Sequence, residues 1–263
     1  MINTYPSIAE KLKGTVTMER WIGKTAVVTG GSSGIGAVVC VALANHGLHV
    51  VALARRVHLV EKLKALVKGK GKIHAKQCDI AKREELSATF EWIDDMFGPV
   101  HVMVNNAGVM YLGHITDIAD GGQLSDEQIQ SVMDTNTMAT ILCTRLAIKS
   151  MKKHFFDGHI VNINSISGHY IPLASYFNVY PCSKHAVTAF LESLNNELAH
   201  LRSGIKVTSL SPGSVDTPMA LDEEHELILA PRDVADALLY VLSTPPSVNI
   251  TELTIRPVAE KRL

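Results

Sequence analysis

The chain has few cysteines, no charge excess and no long apolar run, and each shortage removes a class of protein. Its four cysteines, Cys40, Cys78, Cys143 and Cys182, are scattered without CxxC spacing. That argues against a thiolate metal site or a disulfide framework, and for reduced structural thiols in a cytoplasmic protein. Lys and Arg number 25 against 26 Asp and Glu, a balance that leaves no broad basic footprint for nucleic acid. No run approaches the ~18 apolar residues a membrane span requires. Residues 1–17 are polar and broken by Pro6, Glu10, Lys11 and Lys13, unlike a secretory signal. They read as a flexible arm, and 18–263 as a single domain long enough for a substantial core. The final Lys261-Arg262-Leu263 carries lysine where a peroxisomal tail has serine, so it reads as a frayed end.

Strand-like apolar runs then alternate with helical patterns. Residues 25–29, 48–54, 72–78, 100–104, 159–164, 205–210 and 250–255 read as strands, and their Val, Ile and Leu content suits burial on both faces. Segments 34–46, 57–68, 82–97, 125–154, 180–201 and 231–242 read as helices between them. Pro231 suits a first helical turn, Gly98-Pro99 a helix stop, and Gly204 a left-handed cap. The predicted fold class is α/β: one doubly wound Rossmann-type domain with a parallel, roughly seven-stranded sheet and helices on both faces.

Between the first strand and the first helix lies Thr29-Gly30-Gly31-Ser32-Ser33-Gly34-Ile35-Gly36. Glycines there let backbone N–H groups approach a pyrophosphate at the positive end of the helix. The spacing is TGxxxGxG, not GxGxxG, since Ser32 and Ile35 occupy two of the latter's glycine positions. A P-loop reading of Gly23-Lys24-Thr25 fails, because it precedes the strand and has Met18 in place of the first glycine. Gly30-Gly31-Ser32-Ser33-Gly34 also satisfies GxSxG, which keeps a serine hydrolase elbow at Ser32 as an alternative. That alternative leaves Gly36 and the downstream residues without a role.

After the second strand come Arg55 and Arg56, and no acid occurs from Arg20 to Val60. An acid there would bind an NAD ribose, whereas guanidinium groups grip a 2′-phosphate, so the expected cofactor is NADP(H). Downstream, Tyr180 and Lys184 are four residues apart and share a helix face. A neighbouring ammonium favours phenolate. Bringing a phenol from pKa ~10 to near neutrality requires about 4 kcal/mol, which one Lys together with a cationic nicotinamide could supply.

In this order along the chain, the glycine turn, Asn105-Asn106-Ala107-Gly108, Asp134-Thr135-Asn136, Ser165, the YxxxK of Tyr180 and Lys184, and Pro212-Gly213 with Thr217 resemble the short-chain dehydrogenase/reductase family. The resemblance covers nearly the whole chain from Met18. It implies a catalytic set of Asn136, Ser165, Tyr180 and Lys184: Tyr180 as general acid/base, Lys184 lowering its pKa and holding the nicotinamide ribose, Ser165 binding the reacting oxygen, and Asn136 tying Lys184 to a water-borne proton path. It also implies a cofactor site of Gly30, Ser32, Ser33, Gly34, Ile35, Gly36, Arg55, Arg56, Asp79, Ile80, Asn106, Gly108, Tyr180, Lys184, Pro212, Gly213, Val215 and Thr217. Asp79 resembles the family's adenine contact, Asn105 and Gly108 line the cofactor, and Thr217 meets the carboxamide. Ser165 and Tyr180 are fifteen apart, somewhat more than the family's usual spacing, so the intervening loop should bulge outward. Ser167 is the one nearby substitute for Ser165, and Tyr176 lacks a Lys four residues on.

Segments 109–123, 168–179 and 218–230 should wall the substrate pocket. The middle one holds Tyr170, Ile171, Leu173, Tyr176 and Phe177, and no Lys or Arg occurs between Lys153 and Lys184. The third carries Asp222, Glu223, Glu224 and Glu226, an acidic lid that would repel anionic substrates. An apolar alcohol or ketone is therefore the expected substrate. Met18-Glu19-Arg20-Trp21, Phe90-Glu91-Trp92-Ile93, Ile163-Asn164-Ser165-Ile166 and residues 252–257 resemble the insect farnesol dehydrogenase group, itself similar to dehydrogenase/reductase member 11 and to bacterial 3-hydroxy acid dehydrogenases. That implies an isoprenoid alcohol substrate, with hydroxy acid or steroid substrates as alternatives and a non-catalytic dinucleotide sensor as another. The long helices 125–154 and 180–201 resemble those that pair subunits in the family, implying a homodimer or homotetramer.

Overall fold

The computed structural model describes residues 17–118, 122–220 and 228–260. The arm lies outside them except for Thr17, whose N–H donates to Ser243 O at 3.1 Å. The acidic segment 222–226 and the terminal tripeptide also lie outside.

The strands are β1 (Thr25–Thr29), β2 (His49–Ala54), β3 (Lys72–Gln77), β4 (Val102–Asn105), β5 (His159–Ile163), β6 (Lys206–Pro212) and β7 (Glu252–Ile255). They form one seven-stranded sheet in the order β3-β2-β1-β4-β5-β6-β7, and every pairing is parallel. Strand order reverses between β1 and β4, and a crevice opens there at the carboxyl ends. The helices are α1 (Gly34–Asn45), α2 (Val57–Leu63), α3 (Arg83–Phe97), α4 (Asp126–Val132), α5 (Ala139–Lys153), α6 (Val179–His200) and α7 (Pro231–Ser243).

Strands buried on both faces need cover on both. Val28, Leu43, Val102, Leu210, Val234 and Leu238 pack on the side of α1 and α7. Phe90, Ile93, Met103, Cys143, Ile160 and Leu191 pack on the side of α3, α5 and α6. Each such side chain contributes about 1.5–3 kcal/mol on burial. Trp21 closes one end of the first layer, donating from Nε1 to Leu242 O at 2.8 Å.

The expected helix over 125–154 is three segments, since α4 and α5 are joined by a π-helical stretch, Met133–Met138. Widening of this kind aims side chains out of helical register and is frequent at functional sites; Asn136 sits in it. The expected helix over 57–68 tightens into a 3₁₀ turn at Lys64–Leu66. Gly98 takes φ 71° and ends α3 as expected. Gly204 does not cap α6: Arg202 occupies the left-handed region at φ 53°. A Cβ at 204 would meet the Asp157 carboxylate, the end of an exposed side chain that would have to move aside.

Candidate active site

A cavity of about 510 Å³ opens at the carboxyl ends of the strands, where the strand order reverses. The glycine turn shapes one wall. Gly30 and Gly34 take φ 67° and 53°, which L side chains rarely adopt. A Cβ on Gly36 would overlap both Asn106 Nδ2 and Gly30 O, so glycine at 36 lets the turn and the β4 end meet. Thr29, the first residue of the TGxxxGxG turn, completes that junction. Its hydroxyl accepts from the N–H groups of Asn106 at 3.0 Å and Ala107 at 3.1 Å. The clue was a hydroxyl at the end of a strand otherwise buried in hydrocarbon, where a polar group requires a partner.

Ser33 is the N-cap of α1, yet its side chain caps no helix N–H. Its Oγ accepts instead from Arg56 Nη2 at 3.0 Å. The first-turn N–H groups thus face the cavity without a side-chain acceptor, which suits an anion. Arg55, Arg56, Asp79 and Ile80 line the same end, and Asn106, Gly108, Pro212, Gly213, Val215 and Thr217 line the remainder. This donor set, a helix N-terminus beside two guanidinium groups, fits a phosphorylated dinucleotide. Gly36 and Asn136 do not line the cavity, and Asn105 is a buried bridge whose Nδ2 donates to Thr144 Oγ1 and Asn162 Oδ1.

Ser165, Tyr180 and Lys184 line the other end. The Ser165 side chain lies close enough to the Tyr180 phenol to hold its pKa down against the upward push of burial. Ser165 Oγ also accepts from Ser167 N–H at 3.0 Å, which fixes the hydroxyl's direction. Lys184 is 6 % exposed; its Nζ donates to Ile163 O at 3.0 Å and stands 5.7 Å from the Tyr180 ring centroid. Burial holds its pKa down to about 8. Burial also pushes Tyr180 upward, opposed by the Ser165 side chain. Without a cationic nicotinamide beside them, the low-dielectric site disfavours phenolate and ammonium alike.

Asn136 is held on both of its side-chain polar atoms. Its Oδ1 accepts from Val109 N–H at 2.8 Å, and its Nδ2 donates to Val109 O at 2.9 Å and Ser183 Oγ at 3.0 Å. Its carbonyl accepts from Thr140 Oγ1 at 2.8 Å. It clamps the loop after β4 to α6 beside Lys184 and makes no direct bond to the ammonium.

The substrate side is apolar. Val109, Met110, Tyr111, Ile166, Phe177 and Met219 line the cavity there. Its outer lip is formed by two loops joined through Gly113 N–H to Tyr176 O at 3.0 Å. Ile171 and Leu173 on that lip are 65 % and 85 % exposed.

A family model described as short chain dehydrogenase matches residues 24–227. The chain is 49% identical over 251 residues to farnesol dehydrogenase of Aedes aegypti, covering 93% of this chain and 100% of that one. It is 37% identical over 259 residues to dehydrogenase/reductase SDR family member 11 of Homo sapiens, covering 92% and 97%. Among solved structures, an alcohol dehydrogenase from the archaeon Thermococcus sibiricus complexed with 5-hydroxy-NADP superposes with TM-score 0.78 at 26% identity, over 90% of this chain and 98% of that one. A metagenomic short-chain oxidoreductase in complex with NADP gives 0.75 at 25% identity, over 91% and 99%.

Proposed function

The chain belongs to the short-chain dehydrogenase family and is an oxidoreductase, and from that premise we propose that it interconverts an apolar alcohol, farnesol or a similar isoprenoid, with its aldehyde using NADP(H). The observation that carries this reading is that Ser165, Tyr180 and Lys184 line one cavity with the glycine turn and both arginines, with Lys184 Nζ 5.7 Å from the phenol ring. NADP(H), when bound, accepts or supplies the hydride.

The protein's own residues handle binding and the proton. Backbone N–H groups at the start of α1 bind pyrophosphate, while Arg55 and Arg56 bind the 2′-phosphate. Tyr180 takes the hydroxyl proton during oxidation and returns it during reduction. Ser165, held by Ser167 N–H, presents its hydroxyl to the oxygen on which charge develops. Lys184 places its ammonium beside the phenol and favours phenolate, opposing the effect of burial. Asn136 holds Val109 and Ser183, and through them the shape of the pocket around Lys184. The apolar wall and lip favour an isoprenoid chain over a hydroxy acid. The name of the Aedes aegypti relative supports the same choice. A serine hydrolase would require a base at Ser32, and among the described residues no histidine is hydrogen-bonded to it. We place the enzyme in the cytoplasm as a homodimer or homotetramer paired through α5 and α6.

The test is NADP-linked absorbance change across farnesol, steroid ketones and 3-hydroxy acids. Turnover of farnesol with NADP, lost in Tyr180→Phe while NADPH binding persists, is the expected result. Exclusive turnover of a hydroxy acid would overturn the substrate assignment, and an active Tyr180→Phe enzyme would overturn the mechanism.

A further inference from the structure

The end of the molecule opposite the cavity has an unusual surface. Because all the strands are parallel, the segments entering them lie together at the sheet's amino edge, along with the C-termini of the helices. Backbone hydrogen bonds join these segments in sheet order: Lys72 N–H to Leu48 O, His49 N–H to Lys24 O, His101 N–H to Thr25 O, His159 N–H to His101 O and Lys206 N–H to Gly158 O. They form one continuous face.

Phe155 stands out on it at 99 % exposed, with φ 53°. It follows α5 in a Schellman cap, with Phe156 N–H donating to Met151 O at 3.0 Å and Phe155 N–H to Lys152 O at 3.2 Å. The left-handed position of such a cap favours glycine. Phenylalanine there strains the backbone and exposes its ring to water as well. Arg202 occupies the same position after α6, with φ 53° and Ser203 N–H donating to Leu198 O at 2.9 Å. These are the two non-glycine residues with positive φ among the described residues, and both lie on this face.

Their neighbours share one character. Ile22, Leu66, Met96 and Leu201 are 57 %, 56 %, 62 % and 63 % exposed here. Lys68, Lys70 and Lys72 are exposed along the entry to β3, and Lys152 and Lys153 flank Phe155. Lys24 Nζ lies 5.3 Å from the Phe156 ring centroid. Acids at this end include Glu19, Asp94, Asp95, Asp157, Glu197 and Glu61; Asp94 is bonded to Lys153 at 2.9 Å and Glu61 to Lys64 at 2.6 Å. Lysines alone could serve to guard the β3 edge or to balance helix dipoles. Neither role explains a strained, exposed phenylalanine among them.

We propose that this face docks on an anionic phospholipid surface, with Phe155 entering the interface and Lys68, Lys70, Lys72, Lys152 and Arg202 meeting the headgroups. An exposed aromatic on a face that also carries several cations fits the boundary between acyl chains and negative headgroups. Docking leaves the pocket open, so it is independent of which alcohol the site takes.

The experiment is flotation of the full chain with vesicles of phosphatidylcholine alone or mixed with phosphatidylserine. Binding is expected to the mixed vesicles only, and release at about 1 M salt, where the Debye length is about 3 Å. Phe155→Gly should weaken binding while raising the melting temperature, because glycine relieves the left-handed strain. A misfolded variant cannot give that pair of results. Lys68→Glu/Lys70→Glu/Lys72→Glu should weaken binding on the order of a hundredfold with unchanged NADPH binding. Equal flotation of the wild type and both variants would overturn the proposal, as would failure of the wild type to float. Salt-sensitive self-association in light scattering without vesicle binding would assign the face to a second copy and would equally overturn it.

Discussion

Replacing Lys184 with methionine should make the protein more stable at neutral pH and inactive. Methionine has nearly the length of the lysine stem and carries no charge, so the buried site can be filled without a large cavity. In the folded protein burial holds the ammonium's pKa at about 8, against 10.5 for the free side chain. That gap corresponds to about 3 kcal/mol of folding free energy lost in keeping the proton. The sign follows from linkage: between pH 8 and 10.5 the unfolded chain binds a proton that the folded chain has released, so wild-type stability rises across that window. Removing the lysine recovers the loss below pH 8 but gives up the 3.0 Å bond to Ile163 O, about 1 kcal/mol. The net expectation is a variant about 2 kcal/mol more stable at pH 7, with the advantage gone by about pH 10. Urea denaturation of both proteins at matched concentration, at several pH values from 7 to 10, reads this directly. A variant less stable than wild type at pH 7, or a difference flat with pH, would refute the claim that the site carries a desolvated ammonium.

Arg55→Ala and Arg56→Ala should each raise KM for NADP about tenfold or more, as expected for loss of a charge-assisted pair, and leave NAD kinetics unchanged; steady-state rates with both cofactors check this. Gly36→Ala should weaken NADPH binding measured by fluorescence titration, because its Cβ must displace Asn106 Nδ2 and Gly30 O, at a cost of about 1–3 kcal/mol. Asn136→Ala, which removes two bonds to Val109 and one to Ser183, should lower stability by about 2–3 kcal/mol and impair kcat, and Asn136→Asp should restore only the bond from Val109 N–H. His101 accepts from Thr25 N–H at 2.9 Å and is held at a pKa of about 4 by burial. Stability should therefore fall as pH drops from 6.5 through 4, where the unfolded chain gains a proton the folded one resists, as urea midpoints at pH 4 to 7 would show.

Much of the fold and site was legible because its signals are local. The continuous apolar runs, the glycines at 30, 34 and 36 and the four-residue step from Tyr180 to Lys184 each impose a geometry within one turn or strand. Strand and helix positions consequently match the structure to within a few residues. Signals failed where a residue's conformation depends on a distant partner. The π-helical segment around Asn136 answers to Val109 and Ser183, which no window over 125–154 contains. Gly204 suggested a cap, yet the cap geometry falls on Arg202, and the glycine lies against Asp157 across the sheet edge.

Electrostatics was the least legible part. Spacing places an ammonium beside a phenol but says nothing of the solvent both have lost. In the folded chain, burial leaves Lys184 at about 8 and lifts Tyr180 instead of lowering it. A phenol and an ammonium buried together are thus a weak base and a loosened cation, each opposed by the same low dielectric. In the proposed mechanism, the charge of a cationic nicotinamide in the cavity would add to that of Lys184 in tipping the phenol toward phenolate. Proton transfer by Tyr180 would then be conditional on that occupancy. The phenol's titration, followed by ultraviolet difference absorbance in wild type against Tyr180→Phe, should shift downward when NADP⁺ is added and should not shift with NADPH. An equal shift with both would show that hydrogen bonding and packing, not the ring's charge, set the acidity of Tyr180.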